Sequence, residues 1–350
     1  MKYQLLCCGS NGSGQLGVGN VDDHNIIQKA GFLSDGKDFI TSKQPISIAC
    51  GGNHTLVLLE SNEVFATGSS ESGQLGIDTQ SQINRFLKLD GLWKLVSCGW
   101  EFSILVSMDG VVYVSGLGLK GELGLGKTQT RTTKLTPISF TFPDMIIDVK
   151  SSMNHTVVRL ANGDFYGWGV SRKGQLGLTS EKVLWTPTKL EFGLNPSSYT
   201  GYSVGKDFTV LYGDSGLKFF GTQDKVQRSI QENTVTIKSS KVLSMWTSIH
   251  ILDGNRLISY GNNSHGQLFP TKTGLPFKEF AVGSEHGLAL TNSNSVYAWG
   301  WGEHGNCGEY SETENRDEVT FDYLNKIYEG DNCIAIAGGC ATSWIVTQLV

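Results

Sequence analysis

Residues 121–128, GELGLGKT, satisfy the phosphate-binding spacing G-x-x-x-x-G-K-[ST], and Met145-Ile146-Ile147-Asp148 resembles the magnesium-binding segment that accompanies it. In such a site a buried strand feeds a glycine turn that opens a helix. The helix holds the phosphates with its free N–H groups and dipole, while the lysine reaches the terminal ones. The stretches 12–17, 116–121 and 300–305 fit the dinucleotide spacing G-x-G-x-x-G, which likewise needs a strand before and a helix after. No helix is predicted there. Residues 128–140, TQTRTTKLTPISF, are rich in β-branched Thr and end near Pro137, poor material for a helix.

Thiols and imidazoles are the other candidates. The seven cysteines form no C-x-x-C pair, which points to a reducing compartment rather than a disulfide framework. Cys7 and Cys8 alternate across a predicted strand and cannot chelate together. Cys50 and Cys98 occupy one place in neighbouring repeats, where any small buried residue serves. His54, His155 and His286 also recur at one position, taken elsewhere by Phe102, Phe208, Ser248 and Ala341. Recurrence around a repeat predicts a structural role, satisfying backbone groups near a hub. No nucleophile, base and orienting group converge, so the chain is expected to be non-enzymatic, with no cofactor and no metal.

The elements that position these residues are repeats. The turn letters recur as GQLGVGN from Gly14, GQLGIDT from Gly73, GELGLGKT from Gly121, GQLGLTS from Gly174, GQLFPTK from Gly266 and GNCGEYS from Gly305. Each copy follows a short apolar strand ending in glycine: LLCCG, VFATG, VYVSG, FYGWG, LISYG and VYAWG. A degenerate seventh copy spans 217–227. A second motif alternates with the first at 46–58, 94–106, 148–160, 202–212, 242–252, 280–290 and 334–346. Seven units in 350 residues average about 50 each, a period that signals a propeller. The predicted fold is all-β, a single seven-bladed propeller over 1–350, with loop insertions at about 30–43 and 308–332. The chain begins inside a unit at YQLLCCG and ends with the strands that should precede it, so one blade is expected to be stitched from both ends.

The alternation of a V-Y-x-W-G-x-N-x-x-G-Q-L-G strand-turn with an A-C-G-x-x-H-T-x-x-L strand resembles the regulator of chromosome condensation repeat, which forms seven-bladed propellers. The resemblance spans the whole chain. The G-H and W-D signature of WD repeats is missing, and paired glycines of the kelch kind occur only at 51–52 and 338–339. MWTSIH (245–250), SHGQLFP (264–270), GSEHG (283–287), WGWGEHGNCG (299–308) and GGCATSW (338–344) are further similar to the fungal alpha-tubulin suppressor branch of that family. That resemblance implies a non-catalytic heterodimer with a small zinc-binding protein of the CSL type. It also implies roles in diphthamide synthesis on elongation factor two and in Elongator-dependent modification of transfer RNA wobble uridines, in cytoplasm and nucleus.

Function on a repeat scaffold is expected where units diverge. Blades five to seven diverge most, and the predicted partner-binding residues are Trp246, His250, His265, Phe269, Glu285, His286, Trp301, Glu303, His304 and Asn306. They mix apolar anchors with polar handles. Trp344, in an apolar strand, is expected in the core. The 308–332 segment is acidic with Tyr and Phe interleaved, and is expected to be a solvated loop. A net charge of −5 without a basic run argues against a general grip on DNA. No segment approaches a transmembrane span, and the N-terminal apolar stretch is short for a signal peptide. Contact with Elongator and with transfer RNA stays open. The alternatives are nucleotide exchange on a small nuclear GTPase, the activity of the family's founding member, and light sensing, whose G-W-R-H-T run survives only as GWEFS (99–103).

Overall fold

The computed structural model describes residues 1–31, 40–78, 82–193, 198–232, 241–254, 256–270, 276–310 and 319–349. β1 (Lys2–Gly9), β2 (His24–Lys29) and β3 (Ile40–Thr41) open the chain. The first complete blade is β4 (Pro45–Cys50), β5 (His54–Leu59), β6 (Val64–Gly68) and β7 (Ile83–Lys88). The second is β8 (Trp93–Cys98), β9 (Phe102–Ser107), β10 (Val112–Leu117) and β11 (Arg131–Pro137). The third is β12 (Ile146–Ser151), β13 (His155–Leu160), β14 (Phe165–Val170) and β15 (Val183–Lys189).

Blade four holds β16 (Gly201–Val204), β17 (Phe208–Gly213) and β18 (Gly216–Gly221), then α1 (Asp224–Glu232). Blade five holds β19 (Lys241–Ser244), β20 (Ser248–Asp253) and β21 (Arg256–Gly261). Blade six is β22 (Phe277–Val282), β23 (His286–Thr291), β24 (Val296–Trp301) and β25 (Thr320–Tyr328). β26 (Cys333–Gly338) and β27 (Thr342–Leu349) then join β1 and β2, so seven antiparallel sheets make a seven-bladed propeller. The expected closure is a ladder from Lys2↔Leu349 to Gly9↔Thr342.

Second strands such as β5, β9 and β23 are buried along almost their whole length. Each is covered on both faces by neighbouring blades, so it reads as a continuous apolar run rather than an alternation. Trp168 and Trp299 are fully buried wedges. Their indole N–H groups donate to the carbonyls of Glu122 and Gln267, in the glycine turns of the preceding blades.

That turn closes on itself. The side-chain oxygens of Gln15, Gln74, Gln175 and Gln267 accept the backbone N–H two residues earlier at 2.9 Å, and Glu122 does the same at 2.6 Å. At Gly73 a Cβ would stand 2.5 Å from the Thr132 carbonyl of the next blade, at a φ of +87°; only glycine fits. Gln74 also binds neighbours through its carbonyl, which accepts the hydroxyls of Ser103 and Ser115. Gln74→Ala strands the Ser72 N–H, and urea unfolding is expected to register a loss of about 1 kcal/mol.

The phosphate-loop letters belong to the same turn. The chain leaves Lys127 for β11, not for a helix, so the N-terminal amides of a phosphate cradle do not exist there. Lys127 is exposed. Lys127→Ala should change unfolding free energy by less than about 0.5 kcal/mol, and saturable ATP uptake by the unaltered chain would contradict the turn assignment.

Four expectations need correction. The degenerate unit at 217–227 does not stay β: α1 packs against β21, with Val226 buried and Lys225 donating to Asn262 at 2.8 Å. Two apolar residues, Val226 and Ile230, suffice to anchor it, too few for a visible stripe. Part of the 308–332 segment is no loop, since Thr320–Tyr328 is the outer strand of blade six, with Phe321 in the core; 311–318 lie outside the described residues. In the 30–43 segment, residues 40–41 form β3 against β1, and 32–39 lie outside the described residues. Finally, Thr342, not Ala341, holds the recurrent histidine position, because it opens β27 as His54 opens β5.

Candidate partner-binding rim

Antiparallel order places the turns after the first and third strands of every blade on one rim. At the hub of that rim successive turns are hydrogen-bonded. Gly52 donates to Trp100, Trp100 to Met153, Lys206 to Trp246, Trp246 to Ser284, and Ser284 to Gly339. They surround a recess of about 150 Å³, lined by Trp100, Met153, Trp246 and the thiols Cys50, Cys98 and Cys340. Burial raises Cys50 and Cys340 to about 11, so these are thiols rather than nucleophilic thiolates at neutral pH. Among the described residues no three His, Cys, Asp or Glu side chains are placed to hold a metal ion. Cys7 and Cys8 do point apart, toward the carbonyls of Leu16 and Asn306.

The recurrent histidines are buried. His54 Nε2 meets Ser103 Oγ at 2.9 Å and His286 Nε2 meets Ser343 Oγ at 3.0 Å. Those hydroxyls pass the contact to the carbonyls of Gln74 and Asn306. His54 and His286 also have backbone contacts with Phe102 and Thr342 of the next blade, while among the described residues the ring nitrogens of His155 find no partner. Burial lowers all three to about 4, so they are neutral packing groups.

Four of the ten predicted contact residues have side chains that turn into the packing between blades. His250 is fully buried in β20, against Ser248 Oγ at 3.1 Å and Trp299, and burial lowers it to about 3. Phe269 packs edgewise on Phe277 and Trp299. His286 is buried as described. Asn306 is the shortened counterpart of the turn glutamine, and its Nδ2 donates to the Trp301 carbonyl at 2.9 Å. His250 and His286 sit on second strands, where neighbouring blades cover both faces, whereas Phe269 and Asn306 lie in the turns after β21 and β24 and fold inward.

The other six share the rim. Trp301 ends β24 and stacks on His265, with ring centres 4.5 Å apart and planes at 18°. His304 Nδ1 meets Asp23 Oδ2 of blade seven at 2.8 Å, and that bond raises the imidazole above its ordinary value. Glu303, beside it, is part-exposed. Trp246 packs on Trp100 at 5.8 Å and carries the Lys206 ammonium over its face at 5.7 Å. Glu285 forms the floor. It is 7% exposed, Thr247 Oγ1 donates to its Oε2 at 2.8 Å, and its own carbonyl accepts the Trp301 N–H at 3.0 Å. Burial pushes Glu285 up to about 7, against the lowering effects of Thr247, Gln267 and Lys206.

Trp100, Lys206 and Asp23 join this surface without having been singled out as contacts. Only Trp100 carried a signal, a second indole at the repeat position that Trp246 holds in blade five, where the other units have Gly52, Met153, Lys206, Ser284 and Cys340. The central channel is a poorer candidate. Its cavity of about 510 Å³ includes Asp148 and Lys150, which pair with each other at 3.1 Å. The rim instead offers indole faces and unspent polar groups, the composition of an interaction surface.

The family profile described as RCC1-like domain matches residues 4–347. The chain is 30% identical over 366 aligned positions to an RCC1 repeat-containing protein of Schizosaccharomyces pombe, covering 98% of this chain and 99% of that protein. It is 24% identical to the secretion-regulating guanine nucleotide exchange factor of Bos taurus, covering 89% of this chain and 76% of that protein. Among solved structures it is similar to Prp20p of Saccharomyces cerevisiae, described with binding to Gsp1p and histones. The TM-score is 0.81 at 20% identity, over 100% of this chain and 92% of that one.

Proposed function

This chain belongs to the RCC1-like domain family, and from that premise we propose that it is a non-catalytic scaffold that forms a heterodimer with a small zinc-binding protein of the diphthamide pathway. In this reading it supports diphthamide synthesis on elongation factor two and Elongator-dependent wobble-uridine modification, in cytoplasm and nucleus. An RCC1-like propeller fits a protein-interaction scaffold, and no catalytic family is indicated. The observation that carries the reading is the single-rim grouping of Trp246, His265, Trp301, Glu303 and His304 over Glu285, where blades five and six depart from their siblings. Indoles with polar edges beside charged groups are the composition of a binding hot spot. The rim would seat the small metalloprotein and steer its electron-delivery or assembly role between two pathways.

Nucleotide exchange on a small GTPase is the second reading. It is favoured by the relative named as an exchange factor and by the likeness to Prp20p. Purifying the chain with each candidate partner separates the two. A stable one-to-one complex with the zinc protein, and none with nucleotide-free GTPase, is the expected outcome; the reverse pattern establishes exchange instead.

A further inference from the structure

Glu285 is nearly buried, yet among the described residues no lysine, arginine or histidine stands within ion-pair distance of it. Each turn around it supplies something less. Thr247, between β19 and β20, donates its hydroxyl. Gln267, between β21 and β22, adds a side-chain hydrogen bond. Lys206, between β16 and β17, attracts it from a distance while lying over Trp246. The Trp301 backbone N–H donates to the Glu285 carbonyl, and the buried indole Nε1 of Trp301 has no acceptor among the described residues. His286, next in sequence, is buried, faces Ser343 and is neutral. His304 is committed to Asp23. An acid kept this dry without a cation is costly to the free chain; its turn is tied by backbone bonds to Trp246 and Trp301, whose indoles are surfaces that attract cations.

We infer that Glu285, with Trp246 and Trp301 beside it, is the receptor for an arginine side chain of the docked partner. The inference rests on the reading of this rim as the partner surface and gives that partner its chemistry. Arginine fits better than lysine because its guanidinium is planar, weakly hydrated, stacks on indole and presents forked donors to a carboxylate. Lys206, already over Trp246, shows that this face tolerates a cation without satisfying the acid.

A proton linkage follows. With the free carboxyl near 7, the uncomplexed chain carries a proton on Glu285 below neutrality, and an arriving guanidinium expels it. The complex therefore holds fewer protons than its parts. Affinity rises with pH below about 7, by up to about tenfold per unit, and levels off above it. The bond to Asp23 raises His304 above its ordinary value, so His304 is a second titrating group on this rim and the slope due to Glu285 is the difference between the unaltered chain and Glu285→Gln. That variant keeps an acceptor for Thr247 and the same shape.

Two measurements test this. In the first, the carboxyl carbon of Glu285 is followed by NMR in the whole chain as pH changes, with N-acetyl-argininamide or N-acetyl-glutaminamide added. Argininamide should lower the midpoint from near 7 and glutaminamide should leave it; an unmoved midpoint with argininamide overturns the inference. In the second, calorimetry with the zinc protein compares the chain with Glu285→Gln from pH 6 to 8. The variant should bind about tenfold more weakly at pH 8 and lose the slope. Equal affinity and slope in both overturn the arginine receptor while leaving the partnership standing. A lowered NMR midpoint with no complex at any pH supports the receptor and removes the zinc protein as its occupant.

Discussion

Replacing Trp301 and His304 together by alanine is expected to weaken the proposed complex by at least about 2 kcal/mol, roughly thirtyfold in Kd. The ring should stay folded. Trp301 is half-buried at the end of β24, and its ring rests on the His265 imidazole rather than in a core cluster. Its backbone N–H, which ties β24 to Glu285, survives the substitution. The His304–Asp23 pair has side chains 41% and 38% exposed, a setting in which ion pairs add little to folding. The contrast is Trp299, two positions earlier on the same strand and fully buried. Calorimetric titration with the partner, beside a melting curve of the free variant, separates the two consequences. Unchanged affinity would move the contact elsewhere on the ring, and a collapsed melting transition would show that Trp301 is a wedge between blades.

The repeat made the ring legible. A strand ending in glycine, a turn with Gln or Glu before Leu, and a second strand pair opened by His, Phe, Ser or Thr recur often enough to count the blades. The split unit at YQLLCCG gave away the closing ladder. The sequence was silent where the unit decays. At 217–227 the glycine-glutamine turn is lost, and neither Val226 nor Ile230 announces α1, because a helix lying against a propeller needs only one short apolar edge. β25 escaped notice because its charged and exposed positions, Asp322, Tyr323 and Lys326 among them, resemble a loop. In fact only Phe321 and Val319 need burial there.

The site was legible only as divergence from the siblings. Divergence does not say which way a side chain points. In the second strands of the blades both faces are interior, so His250 and His286 look like surface handles in the sequence and are packing groups in the fold. Asn306 diverges for a local reason: one methylene shorter than glutamine, it turns from the i−2 N–H to the Trp301 carbonyl. Divergence at the turns themselves is different. Turn residues such as Trp246, His265 and Glu303 sit at the rim, where a change of residue type alters what the surface can hold rather than what the core can pack.

Trp344→Ala is expected to cost about 3–5 kcal/mol of folding stability, the range for emptying a buried indole site. The residue is fully buried in β27, in register with Cys7 of β1 on one side and Ala337 of β26 on the other. Its ring meets Phe86 of β7 edge-on, with centres 6.1 Å apart. It therefore packs the closing blade onto the first complete one. Unlike Trp168 and Trp299, whose N–H groups reach the preceding blade's turn, Trp344 donates to Thr342 Oγ1 on its own strand at 3.1 Å. Its contribution across the seam is apolar packing. Trp344→Phe should accordingly retain most of the stability that alanine loses, while Trp299→Phe also strands the Gln267 carbonyl and should lose more. Blades couple mainly to their nearest neighbours, so a cavity at the seam should cost as much as one between interior blades. Urea unfolding of the alanine and phenylalanine variants at both positions measures this. A loss below about 1 kcal/mol for Trp344→Ala would show that the β1–β27 ladder closes the ring without the indole.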